Sequence, residues 1–146
     1  MTGSNRLQGE EVSGYDILDA REQRAARQRH WLRLQEDCCL VSVTLNIAGP
    51  VKNTPLIRRA FGYGLQILEG QLPGILHKEI LDASTGCEAM YAVDEDALQL
   101  KRVCTAIEDS TPLGRLFDMD VIEADGRHLT RCAPRACLIC EKPAYA

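Results

Sequence analysis

Apolar and polar positions along the chain follow two periods, and these predict alternating helices and strands. Residues 15–35 spread apolar side chains among good helix formers, with no proline or glycine, and therefore predict an amphipathic helix. Ser13 stands where its N-cap is expected. Residues 39–47 are rich in β-branched side chains and alternate at Val41 and Val43, which predicts a strand.

Two further helices are indicated by their first turns. Thr54 followed by Pro55 is typical of an N-cap with proline in the first turn, so a second helix is expected to begin there. Within it, Gly62 and Gly64 lower the helix propensity and are typical of a close backbone approach. Residues 94–110 start with acidic side chains and continue with apolar ones at helical spacing, which predicts the third helix.

The remaining apolar runs predict strands joined by hairpins. Residues 75–83 and 87–93 are separated by a short Ser-Thr-Gly turn. Residues 114–124 and 128–132 flank an Asp-Gly dipeptide, which is a strong hairpin signal. Helices mixed with hairpin-linked strands predict an α+β domain, in which about three helices pack on one mainly antiparallel or mixed sheet.

Composition narrows the class of protein. The chain has 146 residues, 45% of them hydrophobic, which is enough for one domain with its own core. The net charge of −4 argues against a protein that finds nucleic acid through bulk positive charge, so any basic site is local. No apolar run approaches the roughly 18 to 20 residues of a membrane span. The first residues lack the hydrophobic segment of a signal peptide, so the expected location is the cytoplasm.

Seven cysteines in such a chain are expected to be reduced thiols. Cys137 and Cys140 have the spacing of metal ligands, and His128 and Cys132 are the nearest candidates to complete a zinc site. The other cysteines are expected to be small buried apolar side chains: Cys38, Cys39, Cys87 and Cys104.

Two aspartates interrupt the apolar run that follows the third helix. In an extended strand Asp118 and Asp120 share one face, while Phe117, Met119 and Val121 occupy the other. The two carboxylates would repel each other unless a cation lay between them. A hard divalent cation such as Mg²⁺ is the usual occupant of such a pair. The alternative is an edge strand whose polar face is solvated.

Basic residues near strand and helix ends suggest an anion site. Lys52 lies in the loop after the first strand, Arg58 falls in the first turn or so of the second helix, and Asn46 ends the strand. Together they could cradle a phosphate, and the alternative is a surface loop with scattered charge. A second group lies along one face of the first helix, where a solvated stripe is the alternative: Arg21, Arg24 and Gln28.

A metal on paired carboxylates with a basic lining is what nucleotidyl transfer requires. The alternation of apolar residues with Asp118 and Asp120 also resembles the metal-binding strand of polymerase β-type nucleotidyltransferases. That superfamily usually has a Gly-Ser step further upstream. This chain instead has Gly114 and Arg115 close in front of the aspartates.

Four separated blocks, in order, resemble the apo-citrate lyase phosphoribosyl-dephospho-CoA transferase family. They are residues 20–28, 41–61, 112–122 and 134–144. The resemblance implies a single nucleotidyltransferase-like domain over residues 1–146, with triphosphoribosyl-dephospho-CoA as donor. It implies attachment of phosphoribosyl-dephospho-CoA to a serine of the citrate lyase acyl carrier subunit, with release of pyrophosphate. Neither nucleic acid nor a membrane is an expected partner.

The resemblance also assigns roles to residues. It implies that Asp118 and Asp120 hold Mg²⁺ and that Arg115 steadies phosphate oxygens. It strengthens the two basic groups as substrate-binding candidates: Asn46, Lys52 and Arg58, then Arg21, Arg24 and Gln28. For the base that deprotonates the serine, a metal-bound alkoxide and Glu79 are both open. The family's pattern continues into a C-terminal tail that this sequence, which stops at "EKPAYA", is expected to lack.

Two other functions stay open at this point. The equivalent transferase for a malonate decarboxylase carrier subunit would use the same chemistry. A non-catalytic module that recognises the carrier or dephospho-CoA would instead use Cys137 and Cys140 in a metal knuckle.

Overall fold

The computed structural model describes residues 9–110 and 112–130, which form three α-helices and a four-stranded sheet. The helices are α1 (Gly14–Leu34), α2 (Pro55–Gln71) and α3 (Ala97–Ser110). The strands are β1 (Cys39–Leu45), β2 (Ile75–Ala83), β3 (Gly86–Val93) and β4 (Phe117–Ile122), the last preceded by a 3₁₀ turn at Leu113–Leu116. The α+β prediction is confirmed.

The strand order places the two aspartates at one side of the sheet. The order is β2-β3-β1-β4, and each pair of neighbours is antiparallel. In the register of β1 against β4, Thr44 lies opposite Asp118 and Ser42 lies opposite Asp120. Since residues opposite each other share a face, the aspartates have hydroxyl side chains as their neighbours on β1.

The main core lies on the sheet face that α2 and α3 cover. Alternate residues of the strands point into it, as the period of an extended strand requires. Phe117 is buried there and stacks on Phe61 of α2, with ring centroids 6.0 Å apart. The buried cluster also includes side chains from every strand named above except β2: Val41, Val43, Ala89, Tyr91, Met119 and Val121.

One glycine sets the distance between α2 and this ring. A Cβ built on Gly64 would lie 1.9 Å from Cζ of Phe117, so no larger residue fits without a shift. The predicted close approach is therefore confirmed at Gly64. It is wrong at Gly62, where a Cβ would meet nothing within 4 Å.

Helix α1 packs on the opposite face and differs from the helix expected. Its N-cap is Ser13, whose Oγ accepts from the backbone N–H of Asp16 at 3.1 Å, as predicted. Only Trp31 and Leu32 reach a small apolar cluster on the sheet, and no residue of α1 is buried. Leu18 is 58% exposed, so the amphipathic pattern is only partly realised. Polar contacts attach the rest of α1 to the sheet.

The predicted element ends hold to within a few residues. Thr54 caps α2 by accepting from the backbone N–H of Ile57, as predicted. Strand β1 ends at Leu45, and one further bond in the same register joins the N–H of Asn46 to the carbonyl of Leu116 at 2.7 Å. Helix α3 begins later than expected because Asp96 accepts from the N–H of Gln99, so it acts as the cap.

After β4 the predicted hairpin is short. Gly126 has a φ of 91°, as expected for the turn, and His128 makes one isolated bridge back to Ile122. Residues 131 and 132 of the predicted partner strand lie outside the described residues. The cysteines considered for a zinc site also lie there: Cys132, Cys137 and Cys140. Across the described ranges, no helix combines the length and apolar character needed to cross a membrane.

Helix α3 also covers the outer edge of β4. The carboxylate of Glu108, which is 2% exposed, accepts from the backbone N–H of Met119 at 2.7 Å. Lys101 donates to the carbonyl of the same residue at 3.0 Å. Two residues further along β4, the carbonyl of Val121 accepts from the N–H of Leu129 at 2.9 Å. The backbone that carries the aspartates is therefore bonded on both sides.

Candidate active site

A cleft of about 510 Å³ opens between the first half of α1, the loop after β1 and the starts of β3 and β4. Five residues predicted from the sequence line it: Arg21, Arg24, Asn46, Lys52 and Asp118. They come from stretches far apart in the chain, so the fold gathers them. The structure shows that these residues line one cleft, and their roles in binding or catalysis stay predictions.

The two aspartates occupy the face of β4 that turns toward α1. Phe117, Met119 and Val121 are buried on the opposite face, as the strand period predicts. Asp118 is exposed in the cleft, whereas Asp120 is half-buried and its Oδ2 contacts Nδ1 of His128. A cation that bound Asp118 and Asp120 would therefore share the Asp120 carboxylate with His128.

The donors around the aspartates suit a cation that brings some of its own ligands. Within residues 9–110 and 112–130, no group of three or more His, Cys, Asp or Glu side chains is arranged to hold a metal. Mg²⁺ is usually held by one or two carboxylates together with water and substrate phosphates. Asp118 and Asp120 therefore fit Mg²⁺ bound with a phosphate, and do not fit an all-protein metal cage.

Three cationic side chains face the cleft and differ in how firmly they are held. Arg24 donates from Nη1 to Oε2 of Glu88 at 3.1 Å. Lys52 donates from Nζ to the carbonyl of Ile47 and so lies against its own loop. Arg21 is exposed and has no ion pair within the described residues. A cleft with three cations favours an anionic ligand.

Other predicted residues lie away from the cleft. Arg58 donates to Oδ1 of Asn53 at 3.2 Å and approaches Asp82 at 3.9 Å, so it faces a separate depression. Arg115 is half-buried in the turn before β4 and does not line the cleft. Asn46 and Lys52 therefore line the cleft together, whereas Arg58 and Arg115 do not.

Two polar residues of α1 and β2 serve as links between elements. Gln28 donates from Nε2 to Oγ of Ser42 at 3.0 Å, which joins α1 to the centre of the sheet. Glu79, the candidate base, lies 3.5 Å from the guanidinium of Arg27 and is absent from the cleft lining. In the sheet register Glu79 lies level with Asp120 but three strand spacings away, roughly 14 Å, which argues against it as the base.

Sequence reasoning missed Glu88 on β3. Its side chain is 9% exposed and bridges two arginines of α1, with Oε1 accepting from Arg27 and Oε2 from Arg24. The available signal was a single carboxylate inside an otherwise buried strand, where an unpaired charge is costly. Glu88 fixes α1 to the sheet and holds Arg24 at the cleft.

The neighbouring thiol adds no charge to this lining. Cys87 is buried beside Glu88, and burial raises the pKa of its thiol to about 11, helped by the nearby negative charge of Asp82. At neutral pH the group is therefore a neutral thiol. The negative charge of the lining comes from Glu88 and Asp118.

Alanine in place of Glu88 is expected to lower the free energy of unfolding by about 1 to 3 kcal/mol, because two arginines lose their partner. Urea unfolding followed by circular dichroism measures the change. The matched control is Glu22→Ala, an exposed carboxylate of α1 with no ion pair within the described residues, for which about 0.5 kcal/mol or less is expected. Equal stabilities of the two variants would refute the role assigned to Glu88.

The sequence of the chain matches one protein family over most of its length. Residues 12–146 match the family model described as apo-citrate lyase phosphoribosyl-dephospho-CoA transferase. Proteins of that name from Escherichia coli O139:H28 and from Shigella boydii serotype 18 are each 36% identical to this chain. Each match covers 91% of this chain and 76% of the relative. The chain belongs to the apo-citrate lyase phosphoribosyl-dephospho-CoA transferase family.

Proposed function

We propose that the chain transfers phosphoribosyl-dephospho-CoA from triphosphoribosyl-dephospho-CoA to a serine of the apo citrate lyase acyl carrier subunit. Family membership supports this, and the names of the relatives favour citrate lyase over malonate decarboxylase as the source of the acceptor. The observation that carries the mechanism is the cleft, in which Asp118 meets Arg21, Arg24 and Lys52. The cytoplasmic location stays a prediction.

The reaction is a displacement at phosphorus. The serine oxygen forms a bond to the α-phosphorus of the donor's triphosphate, and the bond from that phosphorus to the bridging oxygen breaks. Pyrophosphate leaves with the electron pair of that bond, the serine proton is lost to solvent or a base, and a phosphodiester remains. Most of the catalytic demand is therefore for positioning and for cations that meet the charge of the phosphates.

Residues of the cleft meet this demand in different ways. Arg24, held by Glu88, is preoriented, so little conformational entropy is lost when it binds a phosphate oxygen. Arg21 and Lys52 supply further positive charge for the departing pyrophosphate. Asp118 and Asp120 would hold Mg²⁺, which when bound supplies charge stabilisation at the phosphoryl group.

Intact mass spectrometry of the acceptor tests the proposed function. Apo acyl carrier subunit is incubated with the chain, Mg²⁺ and triphosphoribosyl-dephospho-CoA, and pyrophosphate is assayed in parallel. We expect a mass gain equal to phosphoribosyl-dephospho-CoA, matched by equal pyrophosphate, and no gain in the presence of EDTA. Binding of donor or carrier without any mass gain would support the non-catalytic module instead. A gain that persists in EDTA would contradict the Mg²⁺ requirement.

A further inference from the structure

A second groove of about 510 Å³ lies beside the later half of α1. Its lining includes Gln28, Arg29, Leu32, Arg33, Ile122 and His128. We propose that this groove docks the acceptor protein through an acidic surface next to the serine that is modified. The inference rests on the proposed function and adds to it the side from which the acceptor approaches.

The groove and the cleft lie toward opposite ends of the strand that carries the aspartates. Asp118 lines the cleft and Ile122 lines the groove, which places the two openings roughly 13 Å apart along β4. Asp120 lies between them and contacts His128, which belongs to the groove. This face of β4 is therefore approached by two openings, one at Asp118 and one beside His128 and Ile122.

Helix α1 runs past both openings in the same order. Arg21 and Arg24 line the cleft, and Arg29 and Arg33 line the groove. Between them Gln28 bonds to Ser42, the residue opposite Asp120 on β1. One helix thus presents basic side chains on each side of the reacting centre.

The geometry of phosphoryl transfer assigns the two openings. The attacking and leaving oxygens lie roughly in line on opposite sides of the phosphorus. Pyrophosphate leaves toward the cations of the cleft, so the serine approaches from the side of Asp120 and His128. The groove, which His128 lines, opens on that side.

The charge of the groove indicates the chemistry of its ligand. The chain carries a net charge of −4, yet residues 23–34 hold four arginines and no acidic residue. Arg24 and Arg27 are paired with Glu88, whereas Arg29 and Arg33 are exposed and have no ion pair within the described residues. Two unpaired arginines, one turn apart on one face of a helix, attract an acidic protein surface.

The rest of the lining agrees with a protein ligand. Leu32 and the buried Ile122 give the groove an apolar floor. Among the described residues, Asp125 is the one carboxylate of this lining, is outnumbered by the two arginines, and accepts from the backbone N–H of Arg127 at 2.9 Å. An apolar floor with a polar rim is typical of the surfaces where proteins dock.

Charge reversal at the groove tests the proposal. The double variant Arg29→Glu/Arg33→Glu is expected to raise the KM for the acyl carrier subunit about tenfold or more, because attraction becomes repulsion. The KM for triphosphoribosyl-dephospho-CoA is expected to stay within about twofold of the unaltered chain. The matched control, Arg59→Glu/Arg102→Glu, reverses two exposed arginines of α2 and α3 on the other side of the sheet and should change neither KM.

The outcomes separate this inference from the proposed function. If the unaltered chain transfers no group, the proposed function fails, and the Kd for the acyl carrier subunit, measured by isothermal titration calorimetry, still decides the docking proposal: weaker binding of Arg29→Glu/Arg33→Glu than of the control pair supports it, and equal binding of the two overturns it. If transfer occurs but the groove variant raises the donor KM instead, or matches the control pair in both KM values, the docking proposal is overturned. The milder variant Arg33→Gln, which removes one charge without adding another, should raise the carrier KM in the same direction by a smaller factor.

Discussion

Asparagine in place of Asp118 is expected to lower the kcat of transfer by about 10³-fold, which corresponds to about 4 kcal/mol at the transition state. The substitution keeps the size of the side chain and removes the negative charge that attracts a divalent cation. Metal ions contribute several kcal/mol to phosphoryl transfer by stabilising developing charge. Because Asp118 is exposed in the cleft, the variant should fold as the unaltered chain does.

Asp120→Asn should lower kcat by a similar factor, and it also alters the contact with His128. The rate of pyrophosphate release at several Mg²⁺ concentrations measures both variants. Binding of Mn²⁺, followed by electron paramagnetic resonance without donor or carrier, gives a readout that does not depend on turnover. The control is Asp19→Asn, an exposed residue of α1 outside the cleft lining. If both variants release pyrophosphate at rates within tenfold of the unaltered chain, the two aspartates do not bind a catalytic metal, and the alternative of a solvated strand face holds.

Valine in place of Gly64 is expected to lower the free energy of unfolding by about 3 kcal/mol or more, since overpacking a core costs about 1 to 3 kcal/mol for smaller insertions. The first added carbon already overlaps the Phe117 ring, at 1.9 Å from Cζ. That ring is 1% exposed and stacked on Phe61, and the cavity that it and Gly64 line is only about 10 Å³, too small to take up the displaced ring. Gly64→Ala should also lower the free energy of unfolding, although the better helix propensity of alanine offsets up to about 1 kcal/mol of the loss.

Gly62→Ala is the matched control in the same helix. Its Cβ meets nothing within 4 Å, so the gain in helix propensity should stabilise the protein by up to about 1 kcal/mol. Urea unfolding of the two alanine variants compares them directly. Combining Gly64→Ala with Phe117→Leu should restore part of the loss, since the two sites share one contact. Equal stability of the two alanine variants would show that the ring moves aside without cost.

The parts of the fold that depend on neighbouring residues could be predicted from the sequence. Ser13 and Thr54 cap their helices because a side-chain oxygen reaches a backbone N–H three residues on. The common face of Asp118 and Asp120 follows from the period of an extended strand. These features need no knowledge of what packs against them.

The attachment of α1 could not be predicted in this way. The helix lacks a continuous apolar stripe, and its largest polar anchor, Glu88, lies on a strand more than fifty residues away. Which carboxylate an arginine meets depends on the order of strands in the sheet. The apolar pattern of a single segment contains no information on that order.

The same limit explains why the candidate site was only partly foreseen. Arg58 lies close in sequence to Lys52, and spacing alone suggested that both would face one phosphate. In the fold, Asn53 bonds to Asp82 of the distant strand β2 at 2.6 Å, and these two groups hold Arg58 on the other side of the loop. Five residues that line the cleft were already candidates from the sequence, but their grouping required the tertiary structure.

The bonds from α3 to Met119 also determine where the sheet can be extended. An open strand edge is a template for pairing with another chain. On β4 the N–H and the carbonyl of Met119 are already bonded to Glu108 and Lys101. These two backbone groups are therefore not available for pairing with a strand of another chain. On the far side of the sheet, β2 pairs with β3 along one edge, and its outer edge has no neighbouring strand within the described residues; Ile80 of this strand is exposed. Among the described strands, β2 is therefore the one at which pairing with another chain is expected, and such pairing would leave the aspartate strand of each copy available.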